Sequence, residues 1–497
     1  MRKVVVKRVG LCFLLSSLLA ACSFAPKYQR PLMPLPIHYK ETDQWKPAQS
    51  AGLLNKVDFW WQLYNDPVLD ELEQRVTVAN QNLKVAYARY QEARAAVQVE
   101  RSAYYPTLLG IANANRQQVS RHTANVSTKT RYSDYLIGDN LVYQVDLWGR
   151  IRNSVASSES SANASAADLA AVALSLHAEL ATDYFALRGD EEAQRVLDST
   201  VSAYKKALDL TRQRYKGGAA PIADVDQAET QLENARSLAA DMRLQRAQLE
   251  HAIAVLVGEI PANFIMPKTR AKLKLVALAP QLPSTLLERR PDIIAAEERV
   301  KAANAEIGVA CAAFFPSIDL VSVSGFESQK LANLISAPSN FWSLGQINAL
   351  SLTQPLANLV IFDGGRLRGL LNAAKASYHE TVATYRQTVL TAFQEVEDSL
   401  AALRWLDQEN RSQTAATAAA LRALQQSKNR YVGGIVNYLD VVVNENTALQ
   451  SELTLVDIRT RRQLASVQLI KALGGGWSCR HVQCLKPCQI EKSCAEK

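Results

Sequence analysis

Blocks of this sequence recur at nearly one spacing, and that repetition limits the fold more than any other feature. Arg214-Tyr215-Lys216-Gly217-Gly218 returns as Arg430-Tyr431-Val432-Gly433-Gly434, 216 residues later. The same offset relates Asp224-Val225 to Asp440-Val441, Glu229 to Glu445, Gly258 to Gly474, and Gly149-Arg150-Ile151-Arg152 to Gly365-Arg366-Leu367-Arg368. Tyr104-Tyr105-Pro106-Thr107-Leu108 returns as Phe314-Phe315-Pro316-Ser317-Ile318 at an offset of 210, which places the difference in loops between the markers. The chain is therefore two copies of one unit, and both copies must fold alike.

Each copy reads as helix, strand pair, very long helix, sharp turn and long helix. Asp66-Pro67 opens the first helix, because Asp caps well and Pro suits the first turn. Leu69, Leu72, Val76, Leu83, Ala86, Tyr90 and Ala93 follow at helical spacing, and the helix is expected to run to Tyr105-Pro106. Arg290-Pro291-Asp292 opens its counterpart, which ends at Phe315-Pro316. Beyond each aromatic-Pro corner the period becomes two. Residues 317–324 and 135–146 alternate, the latter with a phase slip near Gly138, and the second return strand is read at 349–355. Residues 370–432 then contain no Gly or Pro. As one helix they would extend roughly 95 Å at about 1.5 Å per residue. The equivalent runs over 152–216, with Gly189-Asp190 as the one candidate for a break. Ala-rich helices of this length suit close helix-on-helix packing. Return helices are expected at 222–257 and 438–473.

The N-terminus joins Arg2, Lys3, Lys7 and Arg8 to an apolar run that ends in Leu19-Ala20-Ala21-Cys22. This is a secretory signal, too short to span a bilayer. Leu-Ala-Ala-Cys resembles the bacterial lipobox, which implies a diacylated Cys22 and, with Ser23 following, export to an outer membrane. No stretch beyond the signal reaches membrane-helix length without charge, so any membrane crossing must use strands. The net charge of +8 includes the four signal cations. The remaining charges are mixed, unlike a nucleic-acid binder. Cys479, Cys484, Cys488 and Cys494 crowd the last residues beside His481. Their spacing matches no standard zinc pattern, and a disulfide-tied or dispensable tail suits an exported chain. Scattered histidines, with no nucleophile motif or phosphate loop, argue against an enzyme.

In order and duplication, these motifs resemble the TolC-type outer membrane efflux family, in particular its lipoprotein, NodT-like branch. The marks are the lipobox followed by Ala25-Pro26-Lys27-Tyr28-Gln29-Arg30-Pro31, then Phe59-Trp60-Trp61 with Asp66-Pro67, the Gly-Arg-x-Arg corners, and both Arg-Tyr-x-Gly-Gly turns. The resemblance implies a mixed α and membrane-β fold. Four strands per chain form a trimeric 12-stranded barrel, continuous with a long α-helical periplasmic barrel. The expected divisions are a signal peptide at 1–21, a lipid-anchored extended arm at 22–58, repeats at 59–275 and 276–476, and a Cys-rich tail at 477–497. A homotrimer, a periplasmic adaptor, an inner-membrane transporter and outer-membrane lipid are the implied partners. Nucleic acid is not among them, and the lipid on Cys22 is the only attached group. The turns at Gly217-Gly218 and Gly433-Gly434 correspond to the tip that meets the adaptor. Leu439 and Asp440 fall on the constriction, while Tyr431 and Asp224 match a pair whose contact helps keep the pore shut. An Asp440 ring on a three-fold axis would favour cations; a simple helix-start carboxylate is the other reading. Two departures stand out: Val443 replaces a second acidic position, and Val436 replaces a latch arginine.

The function implied is passive exit of drugs or other small solutes. A type I protein-secretion channel would use the same fold. A coiled-coil adaptor would have one hairpin and lipoyl-like β-domains, which two hairpins and two strand pairs argue against.

Overall fold

The computed structural model describes residues 25–34, 36, 39–42, 59–118, 120, 131–267, 289–336, 339–344 and 357–475. The signal run with Cys22, the tail cysteines and the strand expected at 349–355 lie outside these residues. Short 3₁₀ turns at Lys40–Thr42 and Trp60–Tyr64 precede helices α1 (Pro67–Ala79) and α2 (Gln81–Ser102). Strands β1 (Thr107–Gln118) and β2 (Arg131–Val145) lead into α3 (Arg150–Lys216) and α4 (Ile222–Leu256). The second copy supplies α5 (Pro291–Ala312), β3 (Ser317–Ser328), a short α6 (Leu331–Ser336), β4 (Ser339–Leu344), β5 (Ala357–Asn358), α7 (Arg366–Val432) and α8 (Tyr438–Ala472). The duplication is carried into the helices themselves: α3 and α7 each have 67 residues, and α4 and α8 each have 35.

Two compact units form, and each draws on both sequence copies. One collects Met1–Pro31, Tyr90–Ser165 and Ala296–Tyr385; the other collects Leu32–Arg89, Ala166–Ala295 and Arg386–Lys497. Compactness therefore does not follow the sequence repeats.

The first unit holds an antiparallel sheet in the order β1-β2-β3-β4, with β5 also on β3. Ser322 faces Leu344 while Ile318 faces Ala357, so the two returning segments pair in different registers. The pattern slip at Gly138 does not break the ladder: Ile111, Gly138 and Gly325 lie directly across from one another. A Cβ on Gly138 would come within 2.2 Å of the Ser324 carbonyl oxygen, so the missing side chain reflects close backbone approach. Trp148 stacks on Phe315 at 5.0 Å and donates to the Pro316 carbonyl, tying the corner after β2 to the corner before β3. The extended arm is packed against α5. Asn304 Nδ2 donates to the Pro26 carbonyl at 2.7 Å, Arg30 reaches Glu297 at 2.6 Å, and Ala25 sits against Gly308, where a Cβ would clash.

In the second unit Asp66 caps α1 as expected, accepting from Val68 N at 3.0 Å, and its other oxygen accepts from buried Tyr184 Oη at 2.6 Å. The helix expected to continue to Tyr105 instead breaks at Asn80. That side chain caps α2 through Leu83 N and donates to the Leu256 carbonyl, an exchange that fixes α1 against the end of α4. At Gly189, in contrast, α3 runs on unbroken. Thr460 of α8 packs where a Cβ would be, so this glycine marks a close helix contact. One 18-residue window of α3 is apolar enough to cross a bilayer by composition, but 56% of it is buried within the chain. The arm continues here too, with Lys40 N and Glu41 N both donating to Glu397.

One polar pair lies deep in this core. His177 Nδ1 is 2.6 Å from Glu73 Oε2, and Trp61 stacks on the imidazole at 4.5 Å. Burial, helped by the neighbouring Asp70 charge, pushes the Glu73 carboxyl well above its usual range, and burial lowers the His177 ring to about 4. Both shifts favour the neutral pair, in which the carboxyl O–H would donate to the ring. Unfolded, Glu73 and His177 would titrate at their ordinary values of 4.5 and 6.5. Glu73, whose pKa is raised by folding, loses its contribution as pH rises; His177, whose pKa is lowered, loses its contribution as pH falls. The two effects cancel between those ordinary values, and above 6.5 only the Glu73 loss remains. The melting temperature of the purified protein is expected to fall from mildly acidic to alkaline pH, and Glu73→Gln to remove most of that fall. Equal pH profiles for the two proteins would show that the pair is not neutral.

Candidate functional site

The two long hairpins reverse through identical turns. Gly217 N, Gly218 N and Ala219 N donate to the carbonyls of Gln213, Tyr215 and Arg214; Gly433 N, Gly434 N and Ile435 N repeat the pattern to Asn429, Tyr431 and Arg430. Only the second glycine of each pair is left-handed, Gly218 at φ +72° and Gly434 at +75°. Gly217 and Gly433 stay on the helical side, and a Cβ there would make ordinary contacts.

Within this unit the second hairpin packs on the first. Tyr204 and Leu208 of α3, Val225, Ala228 and Leu232 of α4, Tyr431 of α7 and Tyr438 and Val441 of α8 form one buried apolar cluster. Tyr431 and Tyr438 meet ring to ring at 5.3 Å. Val436, at the position of the family's latch arginine, packs against the same cluster as an apolar residue.

The predicted site residues divide. Tyr431 is buried, at 6% exposure, whereas its repeat counterpart Tyr215 is 46% exposed. Asp224, half-buried at the start of α4, does not receive the Tyr431 hydroxyl, which has no hydrogen-bond partner among the described residues. Arg214 connects the two hairpins instead. Its guanidinium lies 4.4 Å from the centroid of the Tyr431 ring, and its NH1 donates to the Tyr431 carbonyl at 3.0 Å. Burial raises the Asp224 carboxyl and the Arg214 charge offsets part of that rise. Leu439 and Asp440 stand exposed in the first turn of α8, with Asp440 at the position equivalent to Asp224. Val443 is exposed as well. Cys22 lies outside the described residues. Among the described residues no cluster of three or more His, Cys, Asp or Glu side chains could hold a metal ion.

In the sequence Arg214 and Glu445 stand out only as repeat markers, and Tyr204 and Lys428 carry no motif. The available signal was asymmetry between the copies. Tyr204 stands where the second copy has Ala420, so only one hairpin presents that ring to the other.

Comparison with known proteins agrees with this architecture. The profile of the family described as "Outer membrane efflux protein" matches residues 72–259 and 282–475, nearly the two sequence copies. Outer membrane protein OprJ of Pseudomonas aeruginosa is 34% identical over 478 residues, 94% of this chain and 96% of its own. The antibiotic efflux pump outer membrane protein ArpC of Pseudomonas putida is 32% identical over 463 residues, 93% and 94%. Among solved structures, the outer-membrane channel OprN superposes with a TM-score of 0.84 at 28% identity, covering 92% of this chain and all of that one. The open state of the MtrE outer membrane channel of Neisseria gonorrhoeae gives 0.79 at 28%, covering 92% and 99%. Two matched repeats, two 67-residue helices with glycine turns and an antiparallel sheet that takes strands from both copies thus place the chain in the outer membrane efflux protein family, as an outer-membrane channel with a periplasmic helical part.

Proposed function

We propose that this protein is the trimeric exit duct of a tripartite pump. It passes drugs or other small toxic solutes delivered by an inner-membrane transporter and a periplasmic adaptor. The sheet carries the reading. Its outer edges, one side of β1 and one side of β4, have no strand partner within the described chain. β4 and β5 pair successive stretches of β3 and count together as one edge strand. A bilayer does not tolerate open edges, and three copies of this four-strand set joined edge to edge would close twelve strands without any. The efflux-pump relatives favour small solutes over secreted proteins as cargo. A strain lacking the gene should become sensitive to a panel of toxic compounds while its secretome is unchanged. Loss of a secreted protein with normal compound tolerance would instead indicate a type I secretion channel.

The hairpin turns at Gly217-Gly218 and Gly433-Gly434 are then the adaptor-contact tip, and the α8 start is the gate. Leu439 and Asp440, exposed on the single chain, would meet their copies at the three-fold axis. The packing of Tyr431 onto the first hairpin holds the gate shut. Arg214 supplies the cation that Val436 no longer provides, with Asp224 beside it. Arg214→Ala should raise single-channel open probability in planar bilayers by about tenfold, the size of a lost contact of about 1.4 kcal/mol. Unchanged gating in that variant would remove Arg214 from the latch.

Cys22 is the proposed lipid anchor. The seating of Ala25 beside Gly308, near the end of α5 that leads into β3, supports an attachment close to the strands. Palmitate labelling should disappear in Cys22→Ala, with reduced trimer yield but normal conductance in the trimers that form. Label retained by that variant would refute the assignment.

A further inference from the structure

The two hairpins carry one ion pair twice, in two environments. In the first, Arg212 NH2 lies 3.1 Å from Glu229 Oε2, with side chains 47% and 52% exposed. The duplication maps this pair onto Lys428 and Glu445, where Nζ lies 3.0 Å from Oε1. Lys428 is still 36% exposed, but Glu445 retains 1%. Packing of the second hairpin has enclosed the carboxylate beside Tyr204, Tyr431 and Tyr438. The contact with Lys428 is poorly aligned for a hydrogen bond, and Oε2 receives no donor among the described residues. The hydroxyls of Tyr204 and Tyr431 are likewise buried without hydrogen-bond partners among the described residues. A cavity of about 230 Å³, reached by Lys206 and Lys428, opens next to this group.

We propose that the Lys428–Glu445 pair is a counterweight that favours release of the second hairpin from the first, and so sets how readily the duct opens. The proposal rests on reading this junction as the gate. Enclosing a carboxylate removes its hydration, and a single half-exposed, misaligned lysine does not restore it. When the hairpin moves away, the pair regains the solvated state that Arg212 and Glu229 already occupy. The apolar cluster and the Arg214 contact hold the junction closed; the buried carboxylate works against them. Acid should favour closure. Burial raises the proton affinity of Glu445 in the packed state, against the opposing pull of Lys428. The other titratable groups near it are the three tyrosines, Lys206 and, beside Tyr438, Asp224. The packed state therefore binds more protons than the released one.

A clasp and a counterweight differ in sign. If the pair were a clasp, removing either partner would open the gate. For a counterweight, Glu445→Gln relieves the buried charge and closes the gate, whereas Lys428→Met leaves the charge alone and opens it. The experiment records open probability of purified full-length trimers in planar bilayers, at neutral and mildly acidic pH. It compares both variants with Glu229→Gln and Arg214→Ala. We expect Glu445→Gln to lower open probability about fivefold and to lose the acid response. Lys428→Met should raise open probability by a similar factor, and Glu229→Gln should match the wild type. If both pair variants open the channel, or if neither changes gating while Arg214→Ala does, the counterweight is overturned and the gate stands. If Arg214→Ala and both pair variants all leave gating unchanged, the gate reading itself fails and the counterweight fails with it.

Discussion

A long helix in a folded protein draws most of its stability from what packs on it, and most of this structure follows from giving two 67-residue helices neighbours. α3 and α7 are Ala-rich and weakly amphipathic, so no single broad stripe collects their burial. Their stability must come from close contact along much of their length. That need explains Gly189, where Thr460 occupies the space of a side chain, and the run of buried alanines, Ala228, Ala235 and Ala239, along α4. It also explains why each long helix turns back at once through a left-handed glycine: an immediate return supplies a neighbour without a long connection.

Duplication satisfies the same need at small genetic cost, but two copies in one chain are not in equivalent places. Tyr431 is covered while Tyr215 is open, and Glu445 is enclosed while Glu229 is wet. The fold is repeated; the environment is not. Residues that differ in burial between equivalent positions are the ones that report where one hairpin lies on the other, and they are where function can be tuned without disturbing the repeat.

Much of the fold was legible in the sequence because its signals are local and occur twice. Absence of Gly and Pro fixed the long helices to within a few residues, and Asp66-Pro67 and Arg290-Pro291 marked helix starts that the structure keeps. The readings that failed depend on distant neighbours. Asn80 ends a helix and bonds to Leu256, and Gly189 lies inside an unbroken helix with Thr460 packed against it. The site was legible only as a place. The glycine turns and Tyr431 stand out in the sequence, but Tyr431 meets Arg214 of the other hairpin, and that pairing is set by packing.

The arm bears on the order in which the chain can come together. Pro26 accepts from Asn304, 278 positions away, and the main chain at Lys40 donates to Glu397, 357 positions away. Contacts so distant in sequence form late, after the intervening loop has closed. During synthesis the arm has nothing to bind until α5 and α7 exist. Of the described segments it is thus the first made and among the last to be seated, and its docking reports that these two helices of the second copy have folded.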